Sequence, residues 1–164
     1  MDVYGWLVLG HVIAVILGLA AHGVSAFAMF RVRTERDPAK LAVVLELSSS
    51  SLLIASIGLL VAIVLGIAAA IMGGHFAKFW PWAAIIILVG IIGSMTPLAG
   101  MPMNRVRKAL GLAVQGDKPT DPPRAPASAE ELAAALDAIR PEIPAAIGIA
   151  GIVVLSWLMR AKPF

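Results

Sequence analysis

Apolar residues fill four long runs of the chain, and the polar residues gather between them. The first run, residues 6–30, contains no Asp, Glu, Lys or Arg. At about 1.5 Å per residue, a helix of that length is roughly 37 Å long, enough to cross a hydrocarbon core of about 30 Å. The second, 41–72, is interrupted only by Glu46 and the serines 48–51. It is longer than a perpendicular crossing needs, so its first turns protrude at the head groups or the helix tilts. A third run covers 80–96, where Pro97 and Pro102 kink or end it, and a fourth covers about 143–159. The pattern predicts an all-α integral membrane bundle of four transmembrane helices, a single membrane domain over residues 1–164.

The connections carry their own signals. In the charged stretch 31–40, Asp37 can cap a helix and Pro38 can occupy its first turn. Residues 115–126 include four prolines and few apolar side chains, a composition that cannot bury a core and reads as a mobile linker. Ser128 with Glu131 three residues later has the spacing of a capping box, and Leu132, Ala135, Leu136 and Ile139 fall on one face. This predicts a short amphipathic helix over 129–139. Too short to span, it lies flat on the cytoplasmic membrane surface or against the bundle; docking of a partner is the sharper alternative.

Within the second run, Ser48, Ser51, Ala55, Gly58, Ala62, Gly66 and Ala70 follow one another at spacings of three or four. Small residues on one face let helix backbones approach closely in lipid, so Gly58, Ala62, Gly66 and Ala70 are expected to form a helix-packing stripe. Orientation follows from the basic residues. The first connection holds four (31, 33, 36, 40) and the third six (105, 107, 108, 118, 124, 140), against one in the second (78), two after the last run (160, 162) and none before the first. This asymmetry places the first and third connections in the cytoplasm and both termini outside. Trp6, Trp80, Trp82 and Trp157 then share the outer interface with Tyr4, as an aromatic belt does.

Composition agrees with the pattern. The chain is 60% hydrophobic and 14% charged, against roughly 25% charged in soluble domains, and its mean hydropathy is +0.92. The first run is too long for a signal-peptide core and no positive charge precedes it, so it reads as uncleaved. The net charge of +3 raises the question of nucleic acid, but the basic residues flank apolar runs, where they set topology and meet anionic head groups. No nucleic-acid partner is expected. Without cysteine, disulfides, thiolate nucleophiles and cysteine-ligated clusters are excluded, so a metal would need His, Met or carboxylate.

Candidate chemistry rests on three histidines. His11 and His22, eleven residues apart, share one helix face about 16 Å apart in depth. His11 and His75 fall on the outer side and, with Asp2, are a candidate metal site for copper, zinc or haem iron; the plainer reading is an imidazole bonded to a carbonyl or the interface. His22 falls at the depth of Ser25, Ser48, Ser51, Ser94 and Thr96, with Glu46 near by. This set reads either as polar glue between helices or as a proton or substrate path. Three histidines cannot build a two-haem carrier within one chain. Met95, Met101 and Met103 suit Cu(I), but their apolar, Pro-broken setting reads as lipid-facing filler. No catalytic residue set stands out, and no paired carboxylates or phosphate loop falls inside a run.

The segment from His11 through Gly18 to His22-Gly23, the Arg-rich turn, Gly73-Gly74-His75 with Trp80-Pro81-Trp82, and the Pro-broken third helix ending in Arg105-Val106-Arg107 resemble a known family. It is a family of small bacterial predicted integral membrane proteins of unknown function, distantly similar to the membrane domain of D-type copper-resistance proteins. The resemblance covers roughly residues 6–112 and implies a four-helix membrane protein of bacterial type, with copper or haem handling as a distant suggestion. The functional expectation is a non-enzymatic membrane protein, embedded in the lipid bilayer as an accessory subunit of a membrane-protein partner or as a small homo-oligomer. The alternative is a haem- or copper-handling protein using His11, His22 and His75 as cofactor ligands.

Overall fold

The computed structural model describes residues 2–114, 117, 118, 120 and 122–163. It is all-helical, with no strand among the described residues, and four of its helical segments are long and apolar enough to cross a membrane. Helix α1 (Val3–Thr34) is capped by Asp2, whose Oδ1 accepts the Gly5 N–H at 2.8 Å. Helix α2 (Pro38–Met72) begins as its sequence dictates: Asp37 Oδ1 accepts the Ala39 N–H at 2.9 Å and Pro38 sits in the first turn. It stops at Gly73-Gly74, with Gly74 left-handed at φ 64°. A 3-10 turn (His75–Ala77) leads into α3 (Trp80–Met95).

Pro97 does not end that helix. Residues Thr96–Gly100 form a π turn closed by the Met101 N–H on Thr96 O, and α4 (Met101–Ala109) continues beyond it. Proline lacks the N–H an α turn needs and crowds the carbonyl four residues back; a wider turn accommodates both defects. Helix α5 (Ala129–Asp137) starts at the reciprocal cap of Ser128 and Glu131, and α6 (Glu142–Ala161) ends at Lys162, whose φ of 45° turns the chain off the helix.

The long helices associate in pairs. Antiparallel α1 and α2 pack along their whole length, and α3 packs on α6. The pairs are joined mainly at their ends. At the basic end, Met29 and Val32 of α1, Leu41 and Leu45 of α2, Val106 of α4, Leu136 of α5 and the adjoining Ile139 form a buried cluster. Leu132 and Ala135 pack on it from the same face of α5, so α5 lies against the helix ends. Ion pairs ring the cluster: Arg33–Glu142 at 3.0 Å, Arg36–Asp137 at 3.3 Å and Arg107–Glu46 at 3.5 Å. Arg107 also donates to Leu45 O at 3.1 Å and Ser49 Oγ at 2.8 Å, which bolts α4 to α2.

Residues 115, 116, 119 and 121, part of the expected linker 115–126, lie outside the described residues. The described part returns on itself. Ala127 N–H donates to Ala109 O at 2.9 Å, and Arg124 meets Asp117 at 3.5 Å. Gly111 makes the return possible: its φ is 74°, and a Cβ there would stand 2.7 Å from Arg124 O.

The carboxylates of this end give it a pH dependence. The N–H groups of Asp37 and Arg36 hold Glu35 below the usual carboxylate range, with Arg31 adding to the effect. Glu142 is lowered by its own N–H and by Arg33, and Asp117 by the Val114 N–H and by Arg124. A carboxylate with a lowered folded pKa stabilises the fold fully above the unfolded value and loses that contribution as pH falls through the folded one. The basic end should therefore keep this contribution at mildly acid pH and lose it only below the usual carboxylate range, as a small decrease in melting temperature, since the groups are exposed and the apolar cluster remains. A thermal melt in detergent at stepped pH measures this; a loss complete by pH 6 would require other groups.

Candidate functional site along the seam of the first two helices

Four of the polar side chains singled out by the sequence, His11, His75, Ser25 and Ser48, lie on one line, the seam between α1 and α2. At its aromatic end, Tyr4 Oη and His75 Nε2 are 2.9 Å apart. The His75 ring centroid is 5.5 Å from that of Trp80, and Lys162 Nζ lies 5.6 Å above the Trp80 ring, so the ends of all four long helices meet here. The Trp80 indole N–H is buried without a partner among the described residues. Beside Tyr4 and His75 is an open depression of about 630 Å³, reaching to Asp2 and Gly73.

Two turns further along, His11 Nδ1 lies 2.7 Å from Ala62 O. A carbonyl can only accept, so Nδ1 carries a proton, and the tautomer that matches this bond holds its lone pair on Nε2. Gly66 provides the space, since a Cβ there would stand 2.8 Å from Nδ1. Next along the seam, Gly18 meets Gly58, where a Cβ would fall 2.8 Å from Gly18 Cα. Beyond it Ser25 Oγ and Ser48 Oγ, both buried, share a hydrogen bond of 2.7 Å. Gly58, Ala62 and Gly66 thus lie along this seam, with Ala14 and Gly18 opposite, and Ala70 is also buried.

Other expected neighbours are not brought together. His11 rests over Gly66 and His75 over Gly73, seven residues or about 10 Å apart along α2, and each ring has its own partner. His22 is half-buried, one turn from Ser25, with no hydrogen bond among the described residues. Ser51 Oγ donates within α2 to Leu47 O at 2.7 Å, and Ser94 Oγ donates within α3 to Ile91 O at 2.7 Å. Thr96 opens the π turn and is exposed. Ser94 and Thr96 belong to the helix that packs with α6, away from the Ser25–Ser48 bond.

Sequence reasoning did not give the Gly18–Gly58 contact, the Tyr4–His75 pair or the bolt made by Arg107. The small-residue spacing Ala14, Gly18, Ser25 on α1 would have pointed to Gly18; nothing in the sequence pairs Tyr4 with His75. Among the described residues no group of three or more His, Asp or Glu converges as a metal site. No family model, curated protein or solved structure matches the chain.

Proposed function

We propose that this chain is a non-enzymatic multi-pass membrane protein of a bacterial inner membrane, with both termini outside, that works inside an assembly, either as an accessory subunit or as a small homo-oligomer. The observation that carries the reading is the surface of the helix pairs. Large apolar side chains stay exposed on every long helix, among them Phe27, Leu53, Ile86 and Val153. A Cβ added to Gly90, Gly93 or Gly148 would meet nothing within 4 Å. Lipid accounts for exposed Leu and Ile; open glycines on α3 and α6 are the surface that another helix uses. Within the apolar runs, His11, Ser25, Ser48, Ser51 and Ser94 spend their hydrogen bonds on helix backbone or on each other, which supports a structural role for them. The resemblance to small bacterial membrane proteins points the same way.

The test combines location and assembly. The chain should remain in carbonate-washed membranes. A reporter that fluoresces only in the cytoplasm should stay dark after Phe164 and light up when inserted within 115–126. Cross-linking in native membranes should give species heavier than the 17.1 kDa chain. A soluble chain, the reversed reporter pair, or a species that never exceeds one chain would each remove one part of the reading.

One observation favours the second reading. A ligating imidazole commonly donates its other N–H to a carbonyl, and His11 does this while keeping Nε2 for a ligand. Haem supplies its own equatorial nitrogens and asks the protein for axial groups alone, so His11 with His22 or His75 of another protomer would fit it better than a bare copper ion. A Soret band in protein purified from its native membrane, lost in His11→Ala, would put this reading first.

A further inference from the structure

Four cations flank the turn between α1 and α2, and they divide into two sets. Arg33 and Arg36 reach across to Glu142 and Asp137. Among the described residues, Arg31 and Lys40 have only sequence neighbours as partners, Glu35 at 2.6 Å and Asp37 at 3.8 Å. These two cations border an open groove of about 430 Å³ whose other lining residues are Glu35, Ala39, Val43 and Val44. The acids around it divide their oxygens: Glu35 Oε2 accepts from Arg31, and the remaining carboxylate oxygens are engaged largely with the backbone. Glu35 Oε1 accepts the N–H groups of Arg36 at 3.0 Å and Asp37 at 3.2 Å, and Asp37 Oδ1 caps Ala39. The 3.8 Å separation leaves the Lys40 ammonium without a true hydrogen bond to Asp37.

Depth completes the picture. Arg31 directly follows the first apolar run and Lys40 directly precedes the second, so both sit at head-group level. Val43, strongly exposed, lies one turn deeper. We propose that this groove binds an anionic phospholipid, its phosphate between Arg31 and Lys40 and an acyl chain along Val43 and Val44. The proposal rests on the membrane reading above. A free phosphate would find the same cations but gain nothing from the apolar floor, whereas a phospholipid matches both in the order in which they occur with depth.

The test uses the full chain, purified in detergent, stripped of lipid and titrated with phosphatidylglycerol or phosphatidylcholine under native mass spectrometry. Phosphatidylglycerol should bind first and more tightly. The double variant Arg31→Gln, Lys40→Gln should lose about tenfold or more of that affinity. Arg31→Lys, Lys40→Arg keeps both charges and should keep the preference, as should Arg105→Gln, Lys108→Gln on exposed positions outside the groove. A glutamine pair that binds like the wild type, equal binding of the two lipids, or displacement by equimolar inorganic phosphate would overturn the proposal. Loss of lipid preference in a chain that still resides in the membrane defeats this inference alone; a chain that never enters the membrane defeats the reading beneath it.

Discussion

Leucine at position 58 should drive the first two helices apart. A single Cβ there already falls 2.8 Å from Gly18 Cα, 3.1 Å from Gly18 N and 3.3 Å from Ala14 O. All three atoms are backbone, so no side chain can rotate out of the way. Overpacking that side chains can absorb costs typically about 1–3 kcal/mol; here relief requires moving a whole helix, so the cost should reach or exceed the upper end. Gly66→Leu should be milder, because its obstacle is the His11 ring, which can swing away at the loss of its bond to Ala62 O. Val61→Leu, at an exposed position, should stay within about 0.5 kcal/mol. Thermal unfolding in detergent ranks the three. If leucine at 58 and at 61 melt alike, the seam described here does not exist in the folded protein.

Ile139→Ala should release α5. Ile139 has no exposed surface and sits where α5 hands over to α6, in the one cluster that α1, α2, α4 and α5 all share. Truncation of a buried isoleucine costs about 2–5 kcal/mol when the cavity cannot collapse, and here the cavity walls are the ends of four helices. Since α5 is short and held by few other contacts, the loss should appear as local opening rather than global unfolding. A glutamate-specific protease should cut after Glu130 and Glu131 of α5 at least about tenfold faster than in the wild type, while the helix pairs melt unchanged. Leu132→Ala, at the cluster's margin, should accelerate cleavage far less. Equal cleavage in all three proteins would mean that α5 is not held by this cluster.

How far the fold could be read in advance depends on the range of the interaction concerned. Local chemistry was legible. Asp37-Pro38 starts a helix, Ser128 and Glu131 cap one, and four apolar runs become four long helices, because each signal acts within a few residues. Helix continuity through Pro97 was not, since proline offers both a break and a π turn, and packing on either side decides between them. The choice of partners was also hidden. Small residues on α2 announce a close neighbour but do not say that it is α1, nor that α3 will take α6 and carry Ser94 away from Ser25 and Ser48. The histidines show the same limit. Depth along a helix placed His11 and His75 on one side, yet ring orientation set by Gly66 and Gly73 gives each a separate partner.

The π turn at Thr96–Gly100 has a consequence for how this chain tolerates insertions and deletions. Because it joins α3 to α4 without leaving helical geometry, it transmits rotation as a screw thread does. Losing or gaining one residue there would turn everything beyond by about 100°, swinging Val106 out of the buried cluster and Arg107 off Leu45 and Ser49. The later Pro-rich return between Ala109 and Ala127 carries no such phase, since its described residues are joined by local hydrogen bonds and an ion pair rather than by a continuous helix. The two proline-bearing segments are therefore opposite in kind: one can vary in length, and the other keeps count.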